Sequence, residues 1–200
     1  MNLPNKLTLF RVALIPVIVI IALISPLYDI YIFKEVTVGN FIILIVFLIA
    51  AFTDYLDGHI ARKNNLITDF GKFMDPMADK VLVISTLLIL LEQGKMTAFG
   101  FPLGFVLILI VAREFMVTGI RLIAVQNNVV IAASKLGKIK TVSQMIMVIF
   151  LLLECYPFTF IGGNAKDITA LILIGFAGLT TLVSGIDYFI KNKDVILKSK

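Results

Sequence analysis

Charge is scarce in this sequence. Of 200 residues only 16% are Asp, Glu, Lys or Arg, against 60% hydrophobic, and the mean hydropathy is +1.02. A soluble domain of this length leaves too many positions facing water to hide that much apolar surface. A water-soluble globular enzyme is therefore excluded, and so is a disordered chain. The single cysteine, Cys155, excludes an intrachain disulfide. With one cysteine and one histidine, His59, no Cys/His cluster offers a zinc site. The first apolar block ends without a small-x-small cleavage pattern and further blocks follow, which argues against a removed signal peptide. Internal repeats, low-complexity segments and a soluble domain are all missing.

What remains is an integral membrane protein built of helices. Apolar blocks cover residues 12–24, 38–53 (continuing as helix to 62), 77–91, 99–125, 142–155 and 168–190. Breakers separate them: Ser25-Pro26, Gly39-Asn40, Asn64-Asn65, Gly94, Asn127-Asn128, Pro157 and Gly162-Gly163-Asn164. The pattern predicts an all-α bundle of six transmembrane helices forming one domain over residues 1–200. Residues 2–11 are more polar and, with Pro4 near their start, predict a short helix lying on the membrane interface. Gly175 and Gly178 would let the sixth helix pack closely against a neighbour.

The net charge is +5. Its basic residues suit cytoplasmic loops and anionic headgroups rather than nucleic acid. Six spans place both termini on one side. Of the 18 Lys and Arg, Lys80 and Arg113 sit within helices; of the rest, that side receives Lys6, Arg11, Arg62, Lys63, Lys72, Arg121, Lys135, Lys138, Lys140, Lys191, Lys193, Lys198 and Lys200, whereas the other side receives Lys34, Lys95 and Lys166. This bias predicts cytoplasmic termini. The single cysteine fits a bacterial plasma membrane.

Four carboxylates stand where they are expensive. Acidic side chains at membrane depth cost about 2.5–3.5 kcal/mol each on the lenient insertion scale. Asp54 and Asp57 are three apart and share a helix face, as do Asp75 and Asp79, four apart. Two such pairs on adjacent antiparallel helices can converge. They stay ionised together only with cations between them, and oxygen donors suit Mg²⁺ or Mn²⁺. Four carboxylates suffice for two ions sharing ligands, the arrangement that serves phosphoryl chemistry. Gly58 and Ala61 let a ligand lie against the helix backbone, Arg62 can clamp a phosphate with its planar fork, and Gly71 forms a similar stripe with Asp75 and Asp79 on the third helix.

These residues spell D-x2-D-G-x2-A-R-x8-G-x3-D-x3-D from Asp54 to Asp79. The pattern resembles the signature of the CDP-alcohol phosphotransferase family at all of its fixed positions. His59 occupies a place that the signature leaves open, and it reads as a solvated residue near a helix end. The resemblance implies a six-helix membrane enzyme, usually a homodimer, that moves a substituted phosphate from a CDP-linked donor to an alcohol and releases CMP. Three further stretches, residues 2–11, 113–115 and 133–141, narrow the resemblance to the branch using CDP-diacylglycerol as donor and glycerol 3-phosphate as acceptor. The product there is phosphatidylglycerophosphate, on the way to phosphatidylglycerol and cardiolipin. On this resemblance Asp54, Asp57, Asp75 and Asp79 hold the metals, and Asp79 is also the catalytic general base. Gly58, Ala61, Arg62 and Gly71, with Asp57, bind the donor, and Asn5, Thr8 and Thr68 stand near its nucleotide.

The acceptor is a dianion and needs cations of its own. Arg113 lies inside an apolar helix, an expensive place that marks function. Arg121 follows two turns later, and Lys135 and Lys138 open the fifth helix with Ser134 before them. These five are the expected acceptor-phosphate residues. Glu114 is expected to pair with a helix cation. Two rivals stand beside this reading. An inositol phosphate acceptor would use the same donor site, and a cation transporter would use the carboxylates without chemistry.

Overall fold

The first helix, α1 (Leu3–Leu23), runs without interruption. The separate interfacial helix expected at residues 2–11 is thus part of one continuous rod. Pro4 stands in the first turn, where a backbone N–H has no intrahelical partner to lose, so nothing there breaks the hydrogen-bond ladder. The computed structural model describes residues 3–63, 69–126, 129, 131 and 134–193, except for the side chains of residues 3, 4, 55–63, 69–73, 75, 76 and 126. Among the described residues there are five further α-helices: α2 (Val38–Lys63), α3 (Asp69–Glu92), α4 (Phe105–Gln126), α5 (Lys135–Leu152) and α6 (Ala165–Lys191). Single turns of 3₁₀ helix follow α1 (Ser25–Tyr28) and α5 (Phe158–Ile161). The molecule is predominantly α-helical. Among the described residues two helices are long and apolar enough to cross a bilayer, over Asn5–Leu23 and Ala165–Lys191, and Val38–Asp54 is a shorter apolar helix.

Two antiparallel hairpins had no counterpart in the expected pattern. Strands β1 (Tyr31–Phe33) and β2 (Val36–Thr37) pair after α1. Strands β3 (Thr97–Ala98) and β4 (Phe101–Pro102) pair before α4. In the second hairpin Phe99 and Gly100 have φ of 51° and 76°, the doubly positive pair that a tight two-residue turn requires. The apolar run expected to begin a helix at residue 99 therefore begins as a hairpin, and α4 starts six residues later.

The chain forms two units, residues 1–95 with 148–156, and residues 96–147 with 157–200. In the first, α1 packs on α2 and α3. Ile18, Ile43, Phe47, Leu87 and Leu90 are fully buried there. Gly39 at the start of α2 is tied to this packing: a Cβ at that position would sit 2.7 Å from Cζ of Tyr28. The buried Cys155 closes the unit beside an ion pair of Lys95 with Glu154. In the second unit α4 packs on α6. Gly178 permits the approach, since a Cβ there would stand 3.1 Å from Val106 Cγ1, whereas a Cβ at Gly175 would meet nothing within 4 Å. Gln144 of α5 donates to Thr181 Oγ1 of α6 at 3.1 Å, and Ser143 and Thr180 share a 2.9 Å hydrogen bond.

Candidate functional site

In the first unit the helices carry the acidic motif as its spacing requires. Positions 54, 57, 58, 61 and 62 all lie on α2, and positions 71, 75 and 79 on α3. The side chains of Asp54 and Asp79, the two ends of the motif, are described; those of Asp57, Gly58, Ala61, Arg62, Gly71 and Asp75, and residue Thr68, lie outside the described residues.

Asp54 and Asp79 come together around one nitrogen. Arg11 Nη1 of α1 stands 3.0 Å from Asp54 Oδ1 and 2.6 Å from Asp79 Oδ1. Arg11 is completely buried, while the two carboxylates keep 42% and 43% of their side-chain surface exposed. A buried guanidinium is tolerated only against anionic partners, and here two carboxylates from two helices supply them. Asn5 and Thr8, expected near a nucleotide, are also buried on α1, three-residue steps before Arg11 and on the same side of the helix. Lys6, Leu9 and Phe10 between them are not buried.

Sequence reasoning counted Arg11 as a cytoplasmic charge and as the end of the 2–11 stretch, and gave it no role in the site. The signal that could have singled it out is its three-residue spacing from Thr8 and Asn5 at the polar end of an apolar helix. Among the described residues no group of three or more His, Cys, Asp or Glu is gathered as a metal site. The described part of the motif nonetheless fits a hard divalent cation. Its donors are carboxylate oxygens, two of them already meet at one cation, and both remain open to solvent.

The second unit holds a second polar centre. Arg113 on α4 donates through Nη1 to Glu114 Oε1 at 3.0 Å and through Nη2 to Ser184 Oγ of α6 at 2.6 Å. Glu114 also takes the ammonium of Lys140 from α5. Its expected pairing with a helix cation is met twice over, and the triad carries one net positive charge. All three side chains are buried or nearly so. Two glycines make room for Arg113: Cβ atoms at Gly185 and Gly137 would stand 3.1 Å from its Cγ and 3.8 Å from its Nη2.

The first turn of α5 lies at the same place. Ser134 Oγ accepts from the Gly137 N–H at 3.0 Å, the bond of a helix N-cap, and a Cβ at Gly137 would be 3.2 Å from that oxygen. Ser134 thus anchors α5 through its oxygen and keeps its O–H as a donor. Lys135 and Lys138 are exposed on the same turn. Arg121 lies further along α4. Its Nε donates to Tyr188 Oη at 3.2 Å and its guanidinium sits 5.7 Å from the ring centroid, so α6 holds it as well. Lys140, Ser184 and Tyr188 were not among the expected site residues. Apolar helices surround them in the sequence, and only the packing of α5 and α6 shows what they touch.

CDP-diacylglycerol–glycerol-3-phosphate 3-phosphatidyltransferase of Bacillus subtilis (strain 168) is 42% identical over 204 residues, covering 99% of this chain and 98% of the relative. The enzyme of the same name from Rickettsia bellii (strain RML369-C) is 36% identical over 194 residues, 94% of this chain and 93% of the relative. That of Haemophilus influenzae is 35% identical over 189 residues, 94% and 91%. A family model described as CDP-alcohol phosphatidyltransferase matches residues 1–183. That range includes Arg11, residues 54–79 and Arg113, and the chain belongs to the CDP-alcohol phosphatidyltransferase family.

Proposed function

We propose that this chain transfers the phosphatidyl group of CDP-diacylglycerol to glycerol 3-phosphate, giving phosphatidylglycerophosphate and CMP. The observation that carries this reading is the meeting of Asp54 and Asp79, the first and last acids of the motif, at one point. Asp54, Asp57, Asp75 and Asp79 would hold Mg²⁺ or Mn²⁺, and two ions suit four carboxylates. When bound, the metal neutralises charge on the phosphate oxygens and on the departing CMP. Asp57, Gly58, Ala61, Arg62 and Gly71 take the donor, with Asn5, Thr8 and Thr68 near its nucleotide. Asp79 accepts the proton from the acceptor hydroxyl as that oxygen attacks the β-phosphorus.

Arg113, Arg121, Ser134, Lys135 and Lys138 bind the acceptor phosphate. The net positive charge of the Arg113, Glu114 and Lys140 group supports this role, because a dianion is drawn to it. That charge also favours a phosphorylated acceptor over a neutral alcohol. The chain works as a multi-pass protein of a bacterial plasma membrane, its six helices spanning the bilayer and its termini and active site cytoplasmic. It acts as a homodimer.

The test is CMP release by purified protein given CDP-diacylglycerol, Mg²⁺ or Mn²⁺, and each acceptor separately. Turnover with glycerol 3-phosphate, abolished in Asp75→Asn protein that remains folded, is the expected result. Turnover with inositol phosphate alone would overturn the acceptor assignment and leave the aspartate site standing. Full activity in Asp75→Asn would refute the metal assignment.

A further inference from the structure

We propose that Arg11 is a positioning residue of the acidic centre, setting the carboxylates of Asp54 and Asp79 for their separate tasks. The inference rests on the roles proposed above for those two aspartates. It begins from a cost. A fully buried guanidinium has given up its hydration, and it is retained only where its surroundings return strong charge-assisted hydrogen bonds. Here one nitrogen of that group serves an oxygen from α2 and an oxygen from α3 at the same time. The three helices of the first unit are therefore joined through a single side chain at the site itself.

The consequence lies in what is left over. One oxygen of each carboxylate is turned to Arg11, so rotation of either side chain would break a short contact with a buried charge. Each aspartate side chain keeps 42% or 43% of its surface open to solvent, and that part is the one a cation or an acceptor hydroxyl can reach. Arg11 thus fixes which face of each carboxylate is presented. It also places one permanent positive charge between two acids that would otherwise repel each other. Neither role brings Arg11 into contact with substrate. It acts through Asp54 and Asp79.

Arginine suits this place better than lysine. Both carry one charge, but the planar fork is rigid, and a lysine stem is shorter and ends in a point charge that need not bridge two oxygens. Arg11→Lys therefore separates geometry from charge. The experiment compares wild-type, Arg11→Lys and Arg11→Met proteins, purified in detergent and checked for folding by thermal unfolding. Each is assayed for Mn²⁺ binding by titration and for kcat and both KM values in CMP release.

In Arg11→Lys the expected result is a kcat at least tenfold lower, KM values for both substrates within about threefold of wild type, and several-fold weaker Mn²⁺ binding. Charge is conserved in that variant, so the weaker binding reports lost ligand geometry. Arg11→Met is expected to be no more active than Arg11→Lys. Wild-type kcat and Mn²⁺ affinity in folded Arg11→Lys would overturn the proposal. So would loss of folding in both variants, which would make Arg11 a packing residue. If the wild-type protein releases no CMP, the proposed reaction fails, and the Mn²⁺ comparison still decides the role of Arg11. A wild-type protein that binds no Mn²⁺ overturns this proposal together with the metal assignment beneath it.

Discussion

At the residue scale the two polar centres solve one problem in opposite ways. In the first unit a buried cation is flanked by half-exposed acids, and in the second a buried acid is flanked by cations. The acid of the second centre, Glu114, decides how much positive charge Arg113 and Lys140 present. Removing it leaves both buried cations without the carboxylate they share. Breaking a buried ion pair by deleting one partner costs about 3–5 kcal/mol, because the surviving charge stays desolvated. Glu114→Ala should therefore lower the thermal midpoint markedly. Glu114→Gln, which keeps the shape and an acceptor oxygen, should lower it less. In the glutamine protein Arg113 also loses its ionic tether, and the KM for glycerol 3-phosphate should shift more than the KM for CDP-diacylglycerol. Thermal unfolding with paired substrate titrations checks both statements. An unchanged midpoint in Glu114→Ala would mean that the pair is hydrated.

At the scale of elements, helix positions were legible because long apolar runs bounded by breakers mark helices, and α2 and α6 begin and end close to where hydropathy puts them. The acidic motif was legible as well, since three- and four-residue spacings on a helix fix which residues share a face. The helix ends carried less signal. The apolar runs alone would start α3 at residue 77 and α5 at residue 142, and it was the spacing of Gly71 with Asp75 and of Lys135 with Lys138 that carried both helices back to where they begin, at Asp69 and Lys135. The hairpin at residues 97–102 was hidden by apolar side chains that suit a strand as well as a helix. Partners across helices, such as Arg11 with Asp79 or Arg113 with Ser184, are 68 and 71 residues apart in sequence, and no local pattern encodes them.

One connection is open to a direct test. The approach of the 3₁₀ turn to the start of α2 depends on the absence of a side chain at Gly39. A methyl there would meet three ring atoms of Tyr28 at 2.7, 2.8 and 3.0 Å, so the ring or the helix must move. Overpacking of this kind costs about 1–3 kcal/mol. Gly39→Ala should lower the unfolding midpoint in the wild-type background and cost much less beside Tyr28→Ala, where the ring is gone. Equal costs in the two backgrounds would place the strain elsewhere.

At the scale of the whole molecule the question is which side of the membrane each end occupies, and α6 makes it answerable. Its 27 residues extend about 40 Å at 1.5 Å per residue, more than the roughly 30 Å of a hydrocarbon core. Charges stand at its two ends: Lys166 and Asp167 at the start, and Asp187 paired with Lys191 at 2.7 Å at the finish. Asn164 and Lys193 flank it and are exposed. The one native cysteine, Cys155, is 1% exposed and should stay silent to a water-soluble thiol reagent. Asn164→Cys and Lys193→Cys are then clean reporters in intact cells. If α6 crosses the bilayer with its basic end inside, as the positive-inside rule predicts for six spans, a membrane-impermeant maleimide labels position 164 in intact cells. Position 193 should react only after the membrane is opened. Labelling of both positions in intact cells would show that α6 does not cross, and the reverse pattern would turn the active site of the proposed reaction away from the cytoplasm that supplies its soluble acceptor.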